Sequence, residues 1–200
     1  MSRALLLRRP LLVVLALLPV ALAGCGVNDI PTARERAKAA WSEVLNQYQR
    51  RSDLIPNLVE TVKGYAKQES TVLTEVTEAR AKATAVHVDA GTIQDPAQFK
   101  QFQQAQSQLS GALGRLLAVS EAYPDLKSNA NFLALQSQIE GTENRIAVAR
   151  RDYIESVRQY NTMLGTFPGM IWAATLYRSD KPMETFTISE EQMKVPQVKF

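Results

Sequence analysis

The longest regular pattern in the chain runs from Asn129 to Phe167, where apolar or nearly apolar residues recur in steps of three or four. Such steps place all of these residues on one face of a helix, and their mean is close to the ~3.5 of a heptad repeat. At 1.5 Å per residue the helix would be roughly 55 Å long, so helices of similar length must cover its apolar face. The stripe consists of Phe132, Leu135, Ile139, Thr142, Ile146, Ala149, Tyr153, Val157, Tyr160, Leu164 and Phe167.

A first helix is expected to begin near Pro31, with Thr32 and Glu35 as a capping box. Its end is predicted just before Leu54, because Asp53 can cap a second helix that has Pro56 in its first turn. The alternative is one kinked helix that continues through Pro56. The stripe of the first helix consists of Ala37, Trp41, Val44, Tyr48 and Ile55, and the basic pair Arg50-Arg51 would complement the helix dipole at its end.

The second helix is predicted to end near Val86 and the third to begin after a connection at residues 87–95. Glu69 is the one charged residue on the second stripe, which otherwise consists of Leu58, Val62, Tyr65, Leu73, Val76, Ala79, Ala83 and Val86. Asp95, Pro96 and Gln98 form a good start for the third helix, which Pro124 ends. Its stripe consists of Phe99, Phe102, Gln106, Leu109, Leu113, Leu116, Ser120 and Tyr123.

The pattern predicts an all-α protein, a long helical bundle of about four main helices. A short extra C-terminal helix is expected at residues 170–177, followed by an extended or partly disordered tail at residues 178–200, which contains two prolines. The predicted domains are a signal peptide at residues 1–24, a lipidated N-terminus with a short linker at 25–31, the bundle at 32–177 and the tail.

The N-terminal 25 residues have the features of a bacterial lipoprotein signal. Three arginines precede an apolar run from Leu11 to Ala23, which is short for a membrane-spanning helix. The run ends in Leu22-Ala23-Gly24-Cys25, which resembles a lipobox, so Cys25 is expected to become an acylated N-terminus that anchors the chain to a lipid bilayer. The alternative is an uncleaved N-terminal membrane helix. An aspartate directly after the cysteine would resemble a signal for retention in the inner membrane. This chain has Gly26 at that position, so the protein is expected at the outer membrane if the host has one.

Composition argues against several classes of function. Cleavage of the leader would remove three arginines and leave 20 basic and 20 acidic residues, so nothing in the mature charge favours a nucleic-acid partner. The chain has one cysteine and one histidine, His87, which is too few ligands for a zinc or di-iron site. No phosphate-binding loop or nucleophile elbow is present. No cofactor and no catalytic residue is therefore predicted.

A candidate polar network consists of Glu69, Glu140, Glu143, Asn144 and Arg145. A carboxylate on a buried stripe needs a partner or an exposed edge, and Arg145 can pair with acidic groups across the bundle. The sequence favours a structural network, and the alternative is a ligand site in a cleft between helices.

Six segments of the chain form a recognisable set: Ala40-Trp41, Arg50 to Ala66, Tyr123 to Lys127, Gln138 to Ile146, Arg150 to Tyr153, and Tyr160-Asn161. Together they resemble the LemA family of bacterial envelope proteins, in family order from Trp41 to Phe167. The resemblance implies a long antiparallel helical bundle, which in many members is held at the membrane by an N-terminal helix, and no enzymatic chemistry is established for the family as a whole. This chain differs in having a lipobox there, and in having Val27-Asn28 where many members have Tyr-Asn.

Two functions are compatible with these observations. The favoured one is a lipid-anchored scaffold or interaction module of the cell envelope, without catalytic activity, that presents a long helical surface to an envelope protein partner. The alternative is an envelope ligand-binding protein or hydrolase for a wall-derived ligand, with Glu69 and the residues from Glu140 to Arg145 in a polar cleft. The protein is expected to face the periplasm or the exterior.

Overall fold

A computed structural model describes residues 26–66, 68–89 and 91–187, and this part of the chain is helical without any strand. The all-α prediction is confirmed. A 3-10 helix, Thr92–Gln94, precedes the third α-helix. The α-helices are α1 Asp29–Tyr65, α2 Ser70–Ala85, α3 Pro96–Ser120, α4 Pro124–Lys127, α5 Ala130–Gly165 and α6 Gly169–Thr175.

The two longest helices, α1 and α5, pack antiparallel along their whole length. Arg36 bonds Gln159 and Arg51 bonds Glu143, while Tyr65 accepts a hydrogen bond from Asn129, so residue numbers fall on α5 as they rise on α1. Helices α2 and α3 pair in the same antiparallel sense, with Glu69 and Glu75 of the α2 side opposite Tyr123 and Arg115. The result is a long bundle in which four helices supply the core.

The predicted boundary between the first two helices is wrong, because α1 continues through Pro56. The apolar stripe stays buried across this point at Ile55 and Leu58, and Pro56 lies on the exposed side. Proline has no N–H, so the carbonyl of Ser52 four residues earlier loses its helical donor. Arg80 of α2 supplies a replacement, since its Nε donates to the Ser52 oxygen at 2.9 Å. The alternative of one helix through Pro56 is therefore correct.

The start of α1 also differs from the prediction. The helix begins at Asp29, after Asn28, and Thr32 lies inside it, where the Thr32 hydroxyl donates to the Asn28 carbonyl at 2.7 Å. Thr32 therefore does not form the expected capping box. Asp53, expected to be a cap, is likewise inside α1 and accepts a hydrogen bond from Gln49.

Two of the other helix starts agree with the sequence pattern. Asp95 Oδ1 accepts from the backbone N–H groups of Ala97 at 2.9 Å and Gln98 at 3.1 Å, which caps α3. Asn129 Oδ1 caps α5 by accepting from the N–H of Phe132 at 3.0 Å. Helix α3 ends at Ser120, before Pro124, as predicted.

Residues 181–187 are extended, as the sequence predicts for the start of the tail, but they belong to the core. Met183 and Phe186 are buried, and Phe186 packs against Trp41 and Phe99. Asn161 of α5 holds this segment by two hydrogen bonds to the backbone of Met183, both 2.9 Å long. The backbone N–H of Glu184 donates to the carbonyl of Ile93 at 2.7 Å. Residues 188–200, like the leader and Cys25, lie outside the described residues.

Candidate functional site

Of the five residues in the predicted polar network, Glu143 is the one that contacts a fully buried charged group. Its Oε1 accepts a hydrogen bond from Arg51 Nη1 at 2.6 Å. Glu140, Asn144 and Arg145 lie on the exposed side of α5, where Glu140 accepts from Gln136. These three residues are therefore placed at the surface and not in an internal network.

Glu69 lies at the turn between α1 and α2, away from the other four. Its carboxylate accepts a hydrogen bond from the Tyr123 hydroxyl at 3.0 Å, and this bond raises the pKa of Tyr123. The turn follows Tyr65, and roughly 20 Å of helix separates Tyr65 from Arg51, which contacts Glu143. Glu69 and the α5 residues therefore do not share a cleft.

Arg51 is the central polar residue that sequence reasoning missed. Its side chain is only 1% exposed, although the sequence pattern assigns it to the end of the first helix. Nη1 also donates to Ser110 Oγ at 2.6 Å, and Nη2 donates to Gln106 Oε1 at 2.7 Å. A single guanidinium thus joins α1 to α3 and α5. Burial of a charge is costly unless it is paired and hydrogen-bonded, and these partners supply most of that requirement.

Tyr48 completes the cluster around Arg51. The guanidinium carbon lies 5.0 Å from the centroid of the Tyr48 ring, within the range of a cation–π contact. Burial raises the pKa of Tyr48, while the positive charges of Arg150 and Arg51 act in the opposite direction. The phenol is therefore neutral at physiological pH. It can donate or accept a hydrogen bond but does not act as a base.

A cavity of about 280 Å³ adjoins this cluster between α1, α2 and α3. Ser52 lines it, and the Ser52 Oγ is buried without a hydrogen-bond partner among the described residues. Gln106 lines it as well and connects it to Arg51. Every lining side chain is uncharged at neutral pH, so the cavity offers hydrogen bonds and apolar contact but no general base. The remaining lining residues are Leu45, Asn46, Tyr48, Gln49, Ala83, Thr84, Val86, Val88, Phe102 and Leu109.

A shallow surface groove between α1 and α5 contains two of the predicted network residues. Asn144 and Arg145 line it together with Val148, which is 48% exposed, and the volume is about 340 Å³. Glu43 and Asp152 add acidic groups at its sides. Charges of both signs around one exposed apolar side chain resemble the composition of a protein-protein contact more than that of a small-molecule site.

The N-terminal end of the described chain lies beside the junction of α5 and α6. Gly26 has a φ of +97°, and a Cβ added to it would stand 3.4 Å from Pro168 Cγ. A left-handed φ of this kind favours glycine. The residue that precedes Gly26 is Cys25, so the predicted lipidation site is one residue away from this end of the bundle.

No helix among the described residues is both long and apolar enough to cross a lipid bilayer. Nor does this part of the chain hold a group of three or more His, Cys, Asp or Glu side chains that could bind a metal ion.

Comparison with known proteins gives matches over most of the chain. The model of the LemA family matches residues 40–200. "Protein LemA" of Metamycoplasma hominis is 25% identical over 140 residues, which cover 70% of this chain and 60% of that protein. "Magnetosome protein MamQ 2" of Paramagnetospirillum magneticum is 26% identical over 161 residues, which cover 70% of this chain and 58% of that protein. MamQ of Magnetospirillum gryphiswaldense matches to the same extent. The matched region is thus less than two thirds of the length of each of these relatives.

Proposed function

Because the chain belongs to the LemA family, we propose that it is a membrane-anchored helical-bundle protein of the bacterial cell envelope, acting as a scaffold or interaction module without catalytic activity. The observation that carries the proposal is the rod formed by α1 and α5. A helix of 37 residues is roughly 55 Å long. Since the chain enters this rod at one end, beside Pro168, an anchor before Gly26 would hold the opposite end far from the membrane.

The anchor in this proposal is the acylated Cys25, produced by cleavage of a signal peptide at residues 1–24. Two or three acyl chains hold a protein stably in a bilayer, whereas one chain is marginal. The bundle would then face the periplasm or the exterior, and Gly26 after the cysteine favours the outer membrane in a host that has one.

The surface proposed for a protein partner is the groove that contains Asn144, Arg145 and Val148. The buried Arg51 cluster lies next to it along α1 and α5 and fixes α5 against α1 and α3, so the groove is presented on a rigid support. An exposed apolar residue flanked by charges supplies both affinity and orientation in protein interfaces.

Site-specific photo-crosslinking in living cells tests this surface. A photoreactive amino acid at Val148 is expected to give one discrete adduct with an envelope protein, and Arg145→Glu should remove that adduct. Leu133 is the matched control, since it is also 48% exposed on α5 but lies away from the groove. Absence of an adduct at Val148, together with a deletion strain whose envelope is unchanged, would contradict the scaffold proposal.

A ligand-binding function is the second candidate, and the unpartnered Ser52 Oγ beside the cavity is the observation that favours it. Ser52 and Gln106 offer hydrogen bonds among apolar side chains, which suits a small uncharged wall-derived ligand. No histidine or carboxylate lines the cavity, so the geometry supports binding and provides no hydrolytic group. Glu69 has no place in this revised cleft.

Thermal shift measurements with small uncharged wall fragments test the second candidate. A fragment that binds in the cavity should raise the Tm of the wild type but not that of Thr84→Trp, which narrows the cavity from the exposed residue Thr84. Thr77→Trp is the matched control, because Thr77 is an exposed threonine of the same helix outside this cavity. Equal Tm shifts in both variants would show that the fragment binds elsewhere.

A further inference from the structure

Four exposed apolar residues occur on α6 and its two flanks, at the end of the bundle where the chain enters it. Phe167 is 78% exposed, Met170 51%, Ile171 46% and Leu176 62%. Other large exposed apolar residues of the described part, such as Leu133 and Val148, stand singly on the long helices. We refer to Phe167, Met170, Ile171 and Leu176 as the end patch. A cluster of this kind marks a site of contact with another apolar surface.

The end patch lies on and beside a helix that packs against the bundle. The side of α6 that faces away from Met170 and Ile171, at Trp172 and Ala173, packs against the bundle core. Gly169 allows α6 to approach α5 closely, because a Cβ there would stand only 2.1 Å from the carbonyl oxygen of Met163. The core therefore uses one side of this short helix and leaves the end patch without a partner among the described residues.

The position of Gly26 indicates what covers the end patch. A Cβ at Gly26 would be 3.4 Å from Cγ of Pro168, which lies between Phe167 and α6. Gly26 is bonded to Cys25, so the predicted anchor is attached to the chain at this end of the bundle. An anchor formed by acylated Cys25 and one formed by the apolar run Leu11 to Ala23 both enter the bilayer from this point. Either anchor keeps the end patch next to the membrane.

The charges around the end patch agree with a lipid surface. Arg178 and Lys181 follow α6 and are exposed, and although Arg178 Nε donates to the Ala174 carbonyl at 2.8 Å, both cationic side chains can meet anionic headgroups. The nearby Asp180 is not free in the same way, since its side chain is only 7% exposed and bonds Arg34. Asp29, beside Gly26, is the opposing acidic residue and remains exposed.

We propose that the end patch inserts into the interfacial region of the same bilayer that holds the N-terminus, so that the bundle stands on the membrane in a fixed orientation. The inference rests on the proposed membrane anchor and adds a second contact to it. The N-terminal anchor keeps the end patch at a high effective concentration near the bilayer, so even a small apolar surface can insert. Apolar and aromatic side chains with adjacent basic residues are typical of interfacial segments.

Fluorescence quenching by brominated lipid tests the proposal on the full chain reconstituted in vesicles of phosphatidylcholine and phosphatidylglycerol. The chain has two tryptophans, Trp41 in the core and Trp172 in α6. Bromine near the headgroup end of the acyl chains is expected to quench a measurable part of the Trp172 fluorescence, because Trp172 belongs to the helix that carries Met170 and Ile171 but lies on its core side. The Trp172→Phe variant identifies that part of the signal, because its remaining emission from Trp41 should change little.

Paired variants show whether the end patch causes the contact. Phe167→Ser combined with Ile171→Ser is expected to abolish most of the quenching of Trp172. Leu133→Ser, which removes an exposed apolar group elsewhere on the bundle, should leave the quenching unchanged. Circular dichroism melts show whether both variants remain folded.

The outcomes separate this inference from the proposed anchor. Vesicle flotation reports the anchor, whereas quenching of Trp172 reports the end patch. A protein that floats with the vesicles while Trp172 stays unquenched would overturn the patch proposal and leave the anchor standing. A dimer in detergent would show that a second copy of the chain covers the end patch, and a crosslink to residues 188–200 would show that this segment covers it. Either result would also overturn the patch proposal and leave the anchor standing.

Discussion

Arg51 shows how one residue can organise the interior of a helical bundle. The charge of its guanidinium is neutralised by Glu143, but the two residues differ in environment, because the Glu143 side chain is 41% exposed and that of Arg51 is 1% exposed. Removal of the carboxylate therefore leaves a buried positive charge with neutral partners only. Removal of a neighbouring exposed carboxylate should have no such effect.

Glu143→Gln is expected to lower the free energy of unfolding by about 1–2 kcal/mol, a moderate value because Glu143 is partly solvated. Urea melts followed by circular dichroism measure the change. Glu140→Gln is the matched control, since Glu140 lies one helical turn away and is exposed, and it should stay within about 0.5 kcal/mol of the wild type. Equal effects of the two substitutions would contradict the role assigned to Arg51.

Buried tyrosines make the bundle sensitive to alkaline pH. Burial, and after it the negative charge of Asp180, raises the pKa of Tyr160 to about 12 from an ordinary value of 10.0. Burial also raises the pKa of Tyr153 and of Tyr48. Since the unfolded state releases the Tyr160 proton first as the pH rises, the stability from the neutral Tyr160 phenol is complete below about pH 10 and is lost as the pH rises to about 12.

The free energy of unfolding is therefore expected to fall as the pH rises above about 10. Tyr160→Phe, which keeps the ring and removes the titrating group, should show a smaller slope over that range. Urea melts at a series of pH values compare the two proteins. Identical slopes would mean that Tyr160 titrates normally in the folded state.

At the scale of single residues, the burial of Arg51 has a signal in the sequence. Arg51 lies three residues after Tyr48 and four before Ile55, so it belongs to the apolar stripe of α1. A charged residue on such a stripe is compatible with a buried ion pair and not only with the end of a helix. The unpartnered hydroxyl of Ser52 could not be found in this way, because it depends on the packing of three helices.

At the scale of elements, the stripes predicted the buried faces of the helices better than the helix ends. The pattern places a boundary at Pro56 because proline usually interrupts a helix, but α1 continues there. The actual break, between Ala66 and Glu69, has no proline, and the stripe runs on through Tyr65 and Glu69. Only the return of α2 along α3 shows that the chain turns at this point.

The bond between Arg80 and the carbonyl of Ser52 makes a prediction about this helix. Arg80→Met should lower the free energy of unfolding by about 1 kcal/mol, because the carbonyl loses its donor. In a Pro56→Ala background the same substitution should cost less, since the introduced alanine supplies a backbone N–H to that carbonyl. A double-mutant cycle from urea melts measures the difference. Equal costs in both backgrounds would contradict the compensation.

Substitution by alanine is expected to have opposite effects on stability at two helical glycines, Gly169 and Gly114. Gly169→Ala should displace α6 and destabilise the fold by about 1–3 kcal/mol, since its Cβ would meet the backbone of Met163. Gly114→Ala should stabilise it by about 0.5–1 kcal/mol, because nothing lies within 4 Å of the added methyl and alanine favours the helix. Thermal melts measure both, and the emission of Trp172 should shift to the red only for Gly169→Ala.

At the scale of the whole molecule, the antiparallel bundle was predicted from the sequence, and the packing of residues 181–187 was not. This segment has no helical period and contains Pro182, so its pattern carries no sign of burial. The structure shows that Phe186 fills the space between Trp41, Phe99 and Tyr153. Burial of this kind depends on a gap between helices, which the local sequence does not encode.

The proposed anchor of the bundle at the envelope membrane is lipid on Cys25. Mass spectrometry of the protein purified from its native membrane tests this proposal, with Cys25→Ser as the comparison. We expect a mature N-terminus at Cys25 that carries acyl chains, and loss of cleavage and of the acyl chains in the variant. An intact leader without acyl chains in both proteins would contradict it and would leave the apolar run as the anchor.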